Sequence, residues 1–357
     1  MRGRTVARSP PSAVDQRRTR PARDPHHERE GPVNVGVTVR LDQPITAAAE
    51  GARRAEALGF TSVWLADHYF HRDVSAALAL MMASTERVRL GTAVMSPFLR
   101  HPTLLASLAA TLREIGPDRF VLGLGTGGYE FASEMGIPMR RPLQITRETV
   151  QIARELGRGT AHVTGETFSA DGSALRWAPQ DGPLYLAARG PKMLELAGAI
   201  SDGVITHGIS AGHIDFVKEK VAAGAAERTD GCAAIALMLD VEINDDRTAA
   251  LRALAPRCVT MAGGAYADEL IGIYGLDADE VRALRATVRS GDRAAAATQV
   301  TDSMAEAFGL AGSAEHVADG LRTLFDRGVD EVIVSVGGST PDQTVRQLTA
   351  LSEALSS

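Results

Sequence analysis

From residue 33 to the end, short and nearly continuous apolar runs alternate with longer stretches whose apolar residues recur on one helical face. The runs at 33–39, 62–66, 88–94, 120–124, 184–188, 203–206, 234–241 and 332–336 predict eight strands. They are apolar at almost every position rather than at alternate ones, the pattern of strands buried on both faces and hence of a parallel sheet. Helices are predicted at 44–58, 74–84, 102–115, 142–156, 191 onward, 211–227, 314–327 and from the last strand to 354. Several carry proline at the start (Pro44, Pro102, Pro142, Pro191) and glycine at the end (Gly59, Gly116, Gly157), the usual helix punctuation. Two segments break the alternation. Residues 159–178 read as a small hairpin around Gly165, and roughly 246–308 as a helical insertion. Eight strand–helix units close naturally into a (β/α)8 arrangement, the TIM barrel. An open doubly wound sheet is the alternative; the count of eight, with no second domain after it, favours the barrel.

Residues 1–32 differ in kind. The first thirty hold eight Arg, no Lys and four acids, a net charge of +4, with four prolines and almost nothing aliphatic. Such a segment cannot bury enough apolar surface to offset its ordering entropy, so a disordered basic extension is expected, followed by a barrel domain over 33–357. No apolar stretch follows Arg17 and Arg18, which argues against an export signal. The whole chain carries 38 basic and 44 acidic side chains, so the remainder is distinctly acidic and a general nucleic-acid partner is not expected. Two cysteines, Cys232 and Cys258, show neither metal spacing nor a disulfide framework. With no apolar run near the ~18 residues of a membrane span, a cytoplasmic protein is the expectation.

In a parallel barrel, reacting groups sit where strands end and the following loops begin. The residues just past the predicted strands are Asp67 to Asp73, then Met95, Ser96 and Pro97, then Gly125 to Glu130, then Arg189 to Lys192, then Thr206, His207 and Gly208. Polar, titratable and glycine residues therefore converge on one rim. Asp67 and His68 suit a general base with an orienting carboxylate, or a helix cap. The glycines at 125, 127 and 128 permit close approach of a flat ring or a phosphate, or form a plain turn. Gly123, Gly125 and Gly128 match G-x-G-x-x-G, but the match falls on the fourth strand rather than in a dinucleotide-binding unit. Arg189, Gly190, Pro191 and Lys192 read more specifically: a strand ends, glycine allows approach, and a helix opens with free N–H groups beside two cations, an anion site. His101 reads as structural, and His162, His213 and His316 as surface residues. No metal site is expected.

Read together, these segments resemble the luciferase-like family of flavin and deazaflavin barrel enzymes, over roughly residues 33–355. The carrying residues are Ala55 to Trp64 running into Asp67 and His68, then Leu90 to Val94, then Val121 to Gly127. Asp67 to Tyr69 with Arg72 to Val74, and Ala188 to Leu194 followed by Ala197, Gly198 and Ser201 to Gly203, are similar to diagnostic stretches of the 5,10-methylenetetrahydromethanopterin reductases within the coenzyme F420 branch. The resemblance implies a deazaflavin at the C-terminal rim. Asp67 and Ser96 would contact its polar edge, a cis peptide at Ala93–Val94 would brace the ring, and Thr126 and Gly127 would flank it. Ala187, Ala188, Arg189, Gly190 and Pro191 would receive the phosphate-bearing tail. The chain departs from the sugar-phosphate dehydrogenase branch, which has glutamate where Gly128 stands and tryptophan where Arg72 stands; the reductases commonly carry an acid at the Gly128 position too.

The implied activity is F420-dependent hydride transfer between C5 of the deazaflavin and a small organic substrate, with His68 handling the proton and His207 and Tyr129 as weaker substrate-side candidates. An FMN-dependent monooxygenase on the same barrel is the alternative. A flavin-binding barrel without turnover is the second. A homodimer is the expected assembly.

Overall fold

The computed structural model describes residues 33–357 apart from 69, 129–131, 133, 178–179, 230, 265–266 and 339. The basic extension at 1–32 and the candidate Tyr129 lie outside the described residues. Eleven strands are present among those described: β1 (Val35–Thr38), β2 (Ser62–Leu65), β3 (Arg89–Thr92), β4 (Phe120–Leu124), β5 (Thr160–Thr164), β6 (Ser169–Ala174), β7 (Leu184–Ala187), β8 (Gly203–His207), β9 (Ala234–Ile243), β10 (Gly309–Gly312) and β11 (Glu331–Val336). β5 and β6 form the separate antiparallel hairpin expected at 159–178. The main sheet runs β10-β9-β11-β1-β2-β3-β4-β7-β8, and β8 pairs back onto β9, which closes it. All its pairings are parallel, so every barrel strand ends at the same mouth. The eight predicted strands are the eight of the barrel.

The helices are α1 (Ile45–Ala57), α2 (Val74–Ser84), α3 (Pro102–Ile115), α4 (Pro142–Arg158), α5 (Pro191–Ile200), α6 (Ala211–Gly224), α7 (Arg247–Ala262), α8 (Ala267–Tyr274), α9 (Ala278–Ser290), α10 (Arg293–Gln299), α11 (Asp302–Phe308), α12 (Ala314–Asp326) and α13 (Pro341–Ser356). The segment read as a helical insertion resolves into the five helices α7 to α11, whose apolar residues form a core of their own around Leu254, Cys258, Tyr274, Leu284 and Phe308. β10 was not predicted. Its four residues, Gly-Leu-Ala-Gly, carry no strand propensity. It forms because β9 outruns β8: β8 bonds β9 only as far as Met238, and β10 takes the same edge from Asp240 to Ile243, which would otherwise expose unpaired backbone groups.

The barrel interior is filled by Trp64, Val121, Tyr185, Ile205, Ala236 and Ile333. At its N-terminal end Glu331 is buried. It accepts hydrogen bonds from the Ser62 hydroxyl and the Trp64 indole, and pairs with Arg89 at 3.1 Å. This polar plug sits opposite the mouth, where barrels carry stability rather than chemistry. Toward the mouth, the inward positions Ala93, Val94, Ala187 and Met238 are only partly buried, so the lumen opens there.

Candidate functional site

At the mouth lies a cleft of about 720 Å³. Val94, Gly125 to Gly128, Ala187 to Met193, Ile205 and His207 line it from the barrel, Pro142 and Leu143 from α4, and Thr260, Met261 and Gly264 from the insertion. Of the residues singled out from sequence, Val94, Thr126, Gly127, Ala187, Ala188, Arg189, Gly190 and Pro191 thus share one cavity wall. Asp67, His68, Ala93 and Ser96 stand behind or beside it.

The wall is built by backbone pairing between neighbouring strand ends. The Ala93–Val94 peptide is cis, at the position the family resemblance implies. The Ala93 amide donates to Leu65 O at 2.7 Å, and the Asp67 amide to Val94 O at 3.3 Å, which ties the ends of β2 and β3 together. Ser96 is buried, and its hydroxyl donates to Thr126 O at 2.9 Å, joining the β3 and β4 loops. Gly125 is a true close approach: a Cβ there would lie 2.7 Å from Val94 Cγ2 and 3.1 Å from Ala187 Cβ. Gly127 turns the loop with φ of 79°, a left-handed conformation that glycine adopts without steric cost.

The opposite end of the cleft is the start of α5. Gly190 is its N-cap with no side-chain cap, and Pro191 holds the first helical position. The positive end of the helix dipole and its free N–H groups therefore face the cavity, beside Arg189 and Lys192. Arg189 does not simply point at the ligand space. Its Nη2 donates to Met261 O at 3.1 Å, and its buried Nε has no hydrogen-bond partner. An anion fits this end: it finds a helix N-terminus and two cations.

Asp67 is engaged sideways. Its carboxylate accepts from Arg100 Nε at 3.1 Å, and Arg100 Nη2 also pairs with Asp73, which caps α2 through Ser75 N and Ala76 N. His68 sits at the rim with its ring 5.4 Å from that of His71. Partial burial, then the neighbouring His71, hold its pKa below the ordinary imidazole range. His207, on the cleft wall, falls to about 4, chiefly through desolvation and then through Arg189, so it is neutral at pH 7. No group of His, Cys, Asp and Glu among the described residues is arranged to hold a metal ion.

One expectation is corrected. His213 was read as a surface residue, as were His162 and His316. The latter two are exposed, but His213 is fully buried at the start of α6, where its Nδ1 bonds Gly208 O at 2.9 Å and its ring stacks on Tyr274. The reason is the insertion: α8 brings Tyr274 over α6 and covers a face that α6 would otherwise leave open. His101 is structural as read, capping α3 with Nδ1 accepting from the Thr103 amide. Sequence reading missed Thr260, Met261 and Gly264 as cleft residues, because no local signal in α7 says which barrel strand its end will reach.

The fold and these residues have counterparts in known proteins. The sequence profile of the family described as luciferase-like monooxygenase matches residues 21–331. The 5,10-methylenetetrahydromethanopterin reductase of Methanolobus tindarius is 31% identical over 305 residues, covering 84% of this chain and 93% of its own. That of Archaeoglobus fulgidus is 32% identical over 290 residues, covering 78% and 86%. The solved structure of the coenzyme F420-dependent tetrahydromethanopterin reductase from Methanopyrus kandleri superposes with a TM-score of 0.80 at 25% identity, covering 91% of this chain and 98% of that one. With a barrel of this topology and a profile match across most of its length, the chain belongs to the luciferase-like family, alongside the methylenetetrahydromethanopterin reductases.

Proposed function

We propose that this protein is an F420-dependent oxidoreductase that transfers a hydride between C5 of the deazaflavin and a small organic substrate at the barrel mouth. The observation that carries the reading is one cleft that joins a wall of mostly small side chains and glycines (Val94, Gly125, Thr126, Gly127, Ala187, Ala188) to a helix start suited to an anion (Arg189, Gly190, Pro191, Lys192). That shape suits a planar ring at one end and its phosphate at the other.

When bound, the deazaflavin supplies two-electron hydride chemistry, which belongs to the cofactor. The chain's part is to bind, orient and exclude water. Val94 and Gly125 would form the face that holds the ring, with Ala93 behind it. Ser96 holds the Thr126 carbonyl and so keeps the β4 loop clear of the ring. The α5 N-terminus with Arg189 and Lys192 takes the phosphate. Asp67, fixed by Arg100, stands at the polar edge. His68, on the rim beyond it, moves the proton; its lowered pKa favours the neutral, proton-accepting form near pH 7. His207, neutral and half-buried, offers a second hydrogen-bonding group from the far wall.

Titration of the purified protein with F420 and, separately, with FMN, read by fluorescence quenching, tests this reading. Saturable binding of F420 at lower concentration than FMN is expected. Preference for FMN would instead favour the monooxygenase chemistry named in the family description. Tight binding of F420 with no redox change over a broad substrate panel would indicate a barrel without turnover. His68→Ala is expected to cut turnover by ~10²-fold at saturating cofactor; unchanged turnover removes its proton role. The reading also carries a homodimer in the cytoplasm. No helix among the described residues is long and apolar enough to cross a membrane. Sedimentation tests the dimer.

A further inference from the structure

The cleft lies between two helix ends of opposite sign. α5 presents its N-terminus, and α7 presents its C-terminal turn, with Thr260, Met261 and Gly264 in the wall. Carbonyls at a helix C-terminus carry negative partial charge, so an anion seated at α5 faces a repulsive surface across the cavity. Arg189 stands between the two. Its Nη2 is bonded to the Met261 carbonyl, while its Nε is buried and unused. The absence of a side chain at Gly264 keeps the approach open, since a Cβ there would come within 3.2 Å of Arg189 Nη1. Arg189 also interacts with the Tyr274 hydroxyl, which in turn donates to His207 O at 3.2 Å. One guanidinium thus joins the first residues past β7 to α7, to α8 and, through Tyr274, to the end of β8.

We propose that Arg189 is a positioning residue that couples occupation of the anion site to the docking of the helical insertion. Its positive charge lines the cleft beside the anion site, while Nη2 holds the α7 carbonyl. A seated anion and the negative end of α7 are then bridged by one cation instead of repelling each other. Because the end of α7 supplies one wall of the cleft and Arg189 also meets Tyr274 of α8, filling the anion site stiffens that wall. The coupling rests on the anion-site reading of the α5 N-terminus given above, but not on the identity of the cofactor.

Hydrogen exchange on the full chain, with inorganic phosphate as the probe, tests it. Saturating phosphate is expected to slow exchange of the amides in the last two turns of α7 and around Tyr274 by roughly tenfold. In Arg189→Met the response should vanish while the barrel amides keep their protection, and Arg189→Lys should restore part of it. Gly264→Ala disturbs the same contact from the other side without changing charge, and should also blunt the response should Arg189→Met fold poorly. A merely structural anchor would speed exchange in Arg189→Met while the wild type ignored phosphate; that result overturns the proposal. An equal phosphate response in wild type and Arg189→Met overturns it as well, as does the absence of any saturable phosphate effect. A parallel quenching titration with F420 keeps the two readings apart: protection by phosphate without F420 binding would leave the coupling standing and remove the cofactor assignment.

Discussion

The ring of Tyr274 lies against that of His213, centroids 4.8 Å apart and planes inclined by 26°. One residue belongs to the insertion and the other to a barrel helix, and both are buried. Phe308 meets Tyr274 edge-on at 4.7 Å from the other side. The stack is therefore the hinge pin on which the insertion sits over β8. The Nδ1 bond to Gly208 O fixes the Nδ1–H tautomer, burial keeps the ring neutral, and its Nε2 is buried without a partner.

That burial has a pH signature. Desolvation lowers the His213 pKa to about 4 from an ordinary value of 6.5. As the pH falls below 6.5, the unfolded chain takes up a proton that the folded one refuses until about pH 4, so the folded state loses stability through that window. The loss attributable to His213 is on the order of 3 kcal/mol by pH 4. Urea denaturation at stepped pH is expected to show a shallower decline between 6.5 and 4 in His213→Gln than in wild type; parallel declines would refute the assignment.

Gly125 governs the shape of the cleft wall. Adding one carbon forces Val94 or Ala187 into the cleft. Gly125→Ala is expected to weaken F420 binding by roughly tenfold or more, about 1.4 kcal/mol, with a smaller effect on the thermal midpoint. Unaltered affinity in the quenching titration would mean that the ring does not rest there.

Asp67 and Arg100 form a brace that organises the β2 loop. The Asp67 side chain is 9% exposed, and Arg100 divides its donors between it and Asp73. Asp67→Asn and Arg100→Met are each expected to destabilise by about 1–3 kcal/mol. In a double-mutant cycle they should couple by ~1 kcal/mol. Additive single effects would show that the pair does not act as a unit.

The plug at the far end separates stability from function. Glu331→Ala leaves Arg89 without its buried carboxylate and deprives the Ser62 hydroxyl and Trp64 indole of an acceptor. A loss of about 1–3 kcal/mol is expected, because the Arg89 left behind is partly exposed and keeps its bond to Asn34. F420 affinity of the folded fraction should stay at the wild-type level, because Glu331 opens β11 while the cleft lies beyond the strand ends. A large change in affinity would mean that the two ends of the barrel are linked.

The barrel and most of the cleft wall were legible in the chain alone. Strands buried on both faces must be apolar at every position, and helices must show their start and stop residues, so eight units were legible with their order. Once the strands are parallel, the residues after each must lie at one mouth, which is why Gly125, Thr126 and Arg189 follow from the strand ends, whereas Val94 follows only from the family resemblance. Only the tertiary structure decided what closes that mouth. Met261, Gly264, Tyr274 and the buried state of His213 depend on where the insertion folds back, and that is settled by packing between segments far apart in the chain. β10 belongs to the same class: its residues favour nothing, and it is a strand because the overhanging edge of β9 needs partners. So does Glu331, an acid at a strand start whose burial is possible only because Ser62, Trp64 and Arg89 reach it from other strands.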